Sequence, residues 1–393
     1  MSNSFKTFLK HTAKDFHNQS VNPPVVRAST IIFKSMKDIR KTQAKAIKNP
    51  TGGHYDYGRQ GTSTTYILQK ILTKLEESYH VFTTPTGFGA VFLAIFSVTR
   101  PGDEIIAADP VYSPTRLLTE NFLKEFNIKT SFYNPHDLKT LEKSITKKTK
   151  LIFVENPGSN SFDFQDIGKI LSIAKKHKVL TAIDNTWGTP YFLKPIKLGF
   201  DMSIVSATKY YSGHSDVMGG SLAVNKKVFP KVKAAERITG LRLGPDDAYL
   251  ITRGLRTLDI RLENHQENTK EVIKWMSKQK KIKKILYPYK TSSLSYKLWK
   301  KYYSGASGLL GIIIKSKSKS SVYKFVNSLE LFGIGYSWGG FESLAVYNDP
   351  IIEMGKRLFF KLEKNHHLIR MHIGLEDPKD LINDLKKSLR LIK

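Results

Sequence analysis

Between residues 61 and 255 the chain alternates short apolar runs with longer stretches of helical periodicity. The runs VFTT (81–84), EIIAAD (104–109), KLIFVE (150–155), VLTAID (179–184), MSIVSAT (202–208) and GSLAVN (220–225) predict strands. Helical patterns over 88–99, 113–126 and 166–177 separate several of them. Near-continuous apolar strands interleaved with helices are what a sheet covered on both faces requires. After a long helical pattern from about 245 to 279 the order changes. IKKILYP, GLLGIIIK, IGYSW and LIRMHIG predict strands, with helices near 320–330 and 378–391, as in a smaller α+β domain. Residues 1–60 are polar and irregular, with loop signals in NPPVV and NPTGGHYDYGRQGT, and read as an arm that needs another surface to pack on. The expected organisation is an arm (1–60), an α/β domain (61–255) and a C-terminal α+β domain (256–393).

Composition narrows the class. With 393 residues, 40% hydrophobic and 11% aromatic, the chain has enough apolar material for an ordered globular protein. Its longest apolar run, GLLGIII at 308–314, is too short to span a bilayer. The N-terminus lacks the apolar core and cleavage site of a signal peptide, so a cytoplasmic protein without membrane contact is expected. There is no cysteine, which removes disulfides, thiolate metal sites and cysteine nucleophiles. A net charge of +29 invites a nucleic-acid reading. Yet 50 lysines against 13 arginines, spread over nearly every predicted helix, fit a solvated surface better than a dedicated nucleic-acid site. No metal site is expected.

Four features sit at or near strand ends, the place where ligands gather in open sheets, three in the α/β region and one in the C-terminal region. PTGFGAVF (85–92) joins a strand to a helix, and its amides suit an anion such as phosphate, or simply a tight turn. AIDNTW (182–187) leaves Asp184 at the end of an apolar strand, a position for a helix cap, an ion pair or a cation-binding acid. SIVSATKYYSGHSD (203–216) sets Lys209 after Ser206 and Thr208; a salt bridge and a Schiff base are both compatible with it. LIRMHIGLED (368–377) puts Arg370 and His372 on one face of a strand, for an ion pair or for a bidentate carboxylate contact. Together, a lysine, an acid and a phosphate cradle meet the needs of pyridoxal 5′-phosphate (PLP), with Tyr112 in DPVYSPT available to stack on its ring.

HYDYGRQGT, PTGFGA, VYSPT, IDNTW, SATKYYSGHSD, TRGLRTLDIRL, YSWGGFESL and LIRMHIGLED, in that order from about residue 20 to the C-terminus, resemble the Cys/Met-metabolism family of PLP enzymes. The resemblance implies a fold-type I subunit: a mostly parallel seven-stranded sheet with helices on both faces and a smaller C-terminal domain. It implies a homotetramer, a dimer of dimers with shared active sites. Lys209 matches the lysine that forms the Schiff base, Asp184 the partner of the pyridine nitrogen and Tyr112 the stacking tyrosine. The backbone of Gly87 and Phe88 with Ser206 and Thr208 would hold the phosphate. Tyr57 and Arg59 would reach it from the neighbouring subunit, with Tyr57 also near the substrate. Arg370 would take the substrate α-carboxylate beside Ser337, with Trp338 and Tyr336 shaping the pocket. Gly58, Thr86 and Phe88 are positions of expected variation, and Phe88 is bulky enough to crowd the cofactor. Asn156 stands where relatives carry Ser or Thr and is a candidate for tuning substrate choice. The Tyr-Ser-Trp-Gly-Gly segment and ENPGS imply a carbon–sulfur β-lyase that takes an amino-acid thioether, cystathionine, in methionine biosynthesis. The competing activities are γ-elimination, γ-replacement, cysteine desulfhydration and alanine racemisation. A nucleic-acid binder or inactive scaffold on the same fold is the reading from another class.

Overall fold

The computed structural model describes residues 4–11, 20–348 and 358–393. Seven strands form the larger sheet: β1 (His80–Thr84), β2 (Glu104–Ala108), β3 (Lys129–Tyr133), β4 (Thr149–Glu155), β5 (Leu180–Asp184), β6 (Met202–Val205) and β7 (Gly220–Val224). Their spatial order is β1-β7-β6-β5-β4-β2-β3. The pairs from β3 through β6 are all parallel, and only β7 runs against its neighbours β6 and β1. This is the seven-stranded, mostly parallel sheet expected. β1 and β7 are buried along their whole length, and Leu151–Val154 of β4 are completely inaccessible. Helix Gly87–Val98, which buries eight of its twelve residues, contacts β1, β6 and β7. Burial on both faces is why these strands are apolar at successive positions instead of alternating.

β3 escaped the hydrophobic pattern. Its sequence KTSFY alternates exposed and half-buried positions before ending on buried Tyr133. It lies at the sheet edge, where one covered face suffices, so no apolar run marks it.

The second sheet is antiparallel, in the order β10-β11-β9-β8, from β8 (Ile282–Leu286), β9 (Leu309–Lys315), β10 (Leu344–Asn348) and β11 (His366–His372). One expected strand is corrected here. IGYSW (334–338) is a loop, because Ser337 and Gly339 adopt φ of +86° and +88°, which a strand cannot contain. The strand is β10, immediately downstream. The long helical pattern from 245 divides into Pro245–Leu255 and Leu258–Met276, interrupted at Arg256 and Thr257. The boundary proposed at 255/256 falls on that interruption. Lys281 at the start of β8 donates to the carbonyls of Leu389, Arg390 and Ile392, holding the C-terminal segment against the sheet.

The N-terminal region carries more helix than its polarity suggests. Helix Phe5–Lys10 docks by fully buried Leu9, by Phe5 against Tyr191 at 5.5 Å between ring centroids, and by a 2.6 Å Lys10–Asp259 ion pair. Helix Met36–Lys48 buries none of its side chains within the chain, and Ile32, Met36 and Ile47 are exposed.

Candidate active site

β6 stops at Val205, and residues 206–213 coil tightly at its carboxyl end. Lys209 N donates to Ser206 O, Ser212 N to Ala207 O and Gly213 N to Lys209 O. The turn directs Lys209 toward the 336–343 loop. Its Nζ lies 2.5 Å from Ser337 Oγ and 5.5 Å from the centre of the Trp338 ring. Burial, the positive charge of Arg370 and, against them, the carboxylate of Asp184 set the ammonium's acidity, and the balance brings it down to about 8. A fair fraction of this amine is therefore neutral near physiological pH.

The loop that meets Lys209 is held in an unusual conformation. Ser337 at φ +86° is a left-handed non-glycine residue, a strain that surrounding contacts must sustain. At Gly339 a Cβ would come within 2.9 Å of Tyr210 N and 3.0 Å of Lys209 C, so only glycine lets the loop approach the lysine turn this closely. Ser215 Oγ donates to Glu342 at 2.5 Å, a second tie between the two segments. On β11, Arg370 Nη2 lies 3.4 Å from Ser337 O, and its guanidinium carbon lies 5.8 Å from the Tyr336 ring centre.

Asp184 ends β5 beside these residues. Its Oδ1 accepts from Thr186 N (2.9 Å) and Thr186 Oγ1 (2.6 Å), the turn that an Asp two residues before a Thr favours. Burial raises its proton affinity, while the Thr186 bonds and the charge of Lys209 pull the other way. Thr186 Oγ1 also accepts from Ser206 N at 2.9 Å, so one hydroxyl joins the acid to the lysine turn. Sequence reasoning passed over Thr186, although its spacing from Asp184 was the available signal.

Ser206 in turn packs against Gly87. A Cβ at Gly87 would sit 2.5 Å from Ser206 Oγ and 2.6 Å from Ser206 Cβ. The Thr86 hydroxyl caps helix Gly87–Val98 by accepting from Gly89 N at 2.9 Å, and the amides of Gly87 and Phe88 have no helical acceptor. The Phe88 side chain is partly exposed, standing off the helix start. Thr208 Oγ1 exchanges bonds with the backbone of Gly219 (3.2 and 3.0 Å). Replacing Gly87 by alanine is expected to displace Ser206 and lower stability by about 1–3 kcal/mol, the cost of an added carbon in a filled space, readable in urea unfolding.

Tyr112, half-exposed, precedes helix Ser113–Leu117; its N–H donates to Glu155 Oε2 at 2.6 Å. Burial and the carboxylates of Glu155 and Asp184 raise its phenol, and Arg370 counters them, so all four groups share one electrostatic neighbourhood. Glu155 was not singled out in the sequence; ending an apolar strand as Asp184 does, it carried the same signal.

Three expected residues lie elsewhere. Arg59 Nη1 donates to Arg237 O at 3.1 Å, and its guanidinium carbon lies 6.0 Å from the exposed Tyr57 ring, so within one chain Arg59 is tied to helix Phe229–Thr239 with Tyr57 beside it. Asn156 is buried: its Oδ1 accepts from Gln165 N (2.8 Å) and its Nδ2 lies 3.1 Å from the Tyr303 hydroxyl. Its amide is thus committed to the fold behind β4.

The family's sequence profile, Cys/Met metabolism PLP-dependent enzyme, matches residues 6–390. The chain belongs to this family. It is therefore a PLP-dependent enzyme, and the geometry fits the cofactor: a glycine-lined helix start against a serine, a half-buried acid with Oδ2 outside its Thr186 bonds, and a desolvated lysine between them. Family members similar to the chain include cystathionine beta-lyase of Haemophilus influenzae, 34% identical with 96% of both chains covered. An L-alanine/L-glutamate racemase of Wolbachia pipientis is 35% identical over 94% of this chain and 92% of its own. A structure of cystathionine gamma synthase from Xanthomonas oryzae pv. oryzae superposes with a TM-score of 0.90 at 26% identity, covering 100% of this chain and 99% of the other. No described helix is long and apolar enough to cross a membrane, and no described cluster of His, Asp and Glu has the makings of a metal site.

Proposed function

We propose that the protein is a carbon–sulfur β-lyase that cleaves L-cystathionine to homocysteine, pyruvate and ammonia. The observation that carries this reading is the Lys209 amine, desolvated, 2.5 Å from Ser337 Oγ, on a loop that Arg370 also touches. A proton-transfer group and a carboxylate binder thus face one space. The Haemophilus relative's name supports cystathionine as substrate.

In this reading the amides of Gly87 and Phe88 and the hydroxyls of Ser206 and Thr208 would hold the PLP phosphate, Thr208 turning its hydrogen away from Gly219 O. Tyr112 would stack on the ring, Asp184 would accept from its nitrogen and Lys209 would tether it. When bound, PLP supplies the sink for the electron pair released at the substrate α-carbon. Arg370 clamps the α-carboxylate beside Ser337. Tyr336 and Trp338 wall the thioether side. Lys209 Nζ, as a neutral amine, would take the α-proton and return it to the departing sulfur. The sulfur leaves as the homocysteine thiol, and hydrolysis of the remaining three-carbon fragment gives pyruvate and ammonia.

Tyr57 and Arg59 would serve the phosphate of a neighbouring subunit, and Tyr57 its substrate as well. What supports this is that within one chain Arg59 bonds to the backbone of Arg237 and Tyr57 is exposed, together with the unburied apolar side chains of the arm. The assembly proposed is a homotetramer of two such dimers in the cytoplasm. The domain division at 60/61 and 255/256 is part of the same proposal.

Product analysis tests the activity. With cystathionine the expected 2-oxo acid is pyruvate, accompanied by a thiol that co-migrates with homocysteine. 2-Oxobutyrate with cysteine would instead establish γ-elimination. Racemisation is the second reading, favoured by the Wolbachia relative, and chiral chromatography of L-alanine after incubation checks it.

A further inference from the structure

Behind Lys209 lies a buried group of rings that the proposed reaction does not use: Tyr210, His265 and His372. Tyr210 and His265 are completely inaccessible and His372 nearly so. The His265 and His372 ring centres are 5.0 Å apart, and Tyr210 stands 5.4 Å and 6.0 Å from them.

The hydrogen bonds fix the proton on His372 by elimination. Its Nδ1 lies 3.0 Å from Glu342 O, a carbonyl that can only accept, so Nδ1 carries the hydrogen. Its Nε2 accepts from Gly339 N at 3.1 Å, so Nε2 carries a lone pair. The ring is therefore neutral, in one tautomer, and it grips both ends of the Gly339–Glu342 segment. That segment continues directly into Ser337 and Trp338. A second proton would set Nε2–H against the Gly339 N–H. It would also add a cation facing Arg370 on the same strand, Lys209 beneath the loop and His265 on helix Leu258–Met276. Glu342 meets the ring through its carbonyl, its Oε1 accepts from Ser215, and the Tyr210 phenol accepts from Gly308 N. Burial first, then the charges of His265, Arg370 and Lys209, hold His372 well below the ordinary histidine range against the bond to Glu342 O.

We propose that His372 is a positioning residue: as a neutral imidazole protonated on Nδ1, it hangs the Ser337–Glu342 loop from β11 and thereby sets Ser337 and Trp338 against Lys209. The inference rests on Lys209 as the proton-transfer amine, but its physical content, how the loop desolvates that amine, is measurable without the reaction. Glutamine at 372 places an acceptor near Nε2 and keeps the Gly339 bond. Asparagine reaches only as far as Nδ1; it keeps the Glu342 bond and releases Gly339.

The test is trace acetylation of the full chain, stripped of cofactor, with acetic anhydride, following Lys209 by peptide mass spectrometry across pH. In His372→Asn the freed loop admits water, and a rise of one pH unit in the Lys209 midpoint lowers its labelling at pH 8 about fivefold. His372→Gln keeps the wild-type midpoint. With cofactor restored, His372→Asn loses kcat more than KM. Unchanged labelling and kinetics in His372→Asn, with a lowered melting temperature alone, would overturn the proposal by making the ring a space-filler. Equal impairment of both variants would also overturn it, since the Gly339 bond would then not be the operative one. Should neither variant fold, hydrogen exchange of the wild-type holoenzyme decides: slow exchange of the Gly339 amide is expected, and exchange at the rate of an open loop refutes the anchor. Labelling that behaves as described in a protein without cystathionine turnover would retain this inference and discard the proposed substrate.

Discussion

Lys209→Ala is expected to fold, and to lose cystathionine cleavage by a factor of at least about 10³. Nζ serves twice in the proposed reaction, taking the α-proton and returning it to sulfur, and a positioned acid–base group contributes 10²–10⁴ to a single step. The fold should survive because this amine is poorly placed for stability. Its proton is held less firmly in the folded chain, at about 8, than in the unfolded one. Between that value and the ordinary lysine range the unfolded state binds more protons, so the wild-type chain gains stability as pH rises through this window. Below it the buried ammonium costs roughly 3 kcal/mol before cofactor binds. Urea unfolding of the cofactor-stripped proteins checks this: the alanine variant gains on wild type at pH 7, and wild type recovers the difference by about pH 10. Substantial remaining turnover in the variant would refute the assigned role.

Arg370→Ala is expected to raise the KM for cystathionine about 100-fold with a smaller change in kcat. Losing a forked, charge-assisted contact to a carboxylate costs about 3 kcal/mol, which is that factor. Arg370→Lys should recover only part of the loss, because an ammonium cannot make the fork. Steady-state kinetics on both variants reads this directly. An unchanged KM would show that the carboxylate binds elsewhere. Removing Arg370 also removes a charge that lowers the Lys209 pKa, so the rising limb of kcat, which reports the amine in the substrate complex, should move to higher pH in the alanine variant.

Much of this architecture was legible because burial on both faces leaves a loud signature. β1, β2, β4, β5, β6 and β7 each appear as apolar runs, and Asp184 and Lys209 stand out by interrupting or following them. β3 was silent because an edge strand needs only one apolar face. IGYSW misled because aromatic and β-branched residues suit a strand, whereas the φ values of Ser337 and Gly339 are set by contact with the lysine turn, more than a hundred residues away. For the same reason the grip of His372 on Gly339 had no local mark. Asn156 was readable as a departure from relatives, but not as a residue facing Gln165 and Tyr303. The motifs reported which side chains matter; the tertiary structure was needed to show which of them meet.

The Thr186 hydroxyl, donating to Asp184 and accepting from Ser206 N, gives the site a ruler. In the proposed assignment Asp184 binds one end of the cofactor and Ser206 the other, and this single oxygen fixes the span between them. Length selection then resides in the protein before any ligand arrives: a pyridine ring lacking its phosphate arm would satisfy the acid and leave the far anchor unmet. The chain would discriminate among forms of the vitamin by reach, as a gauge does, and not by charge alone.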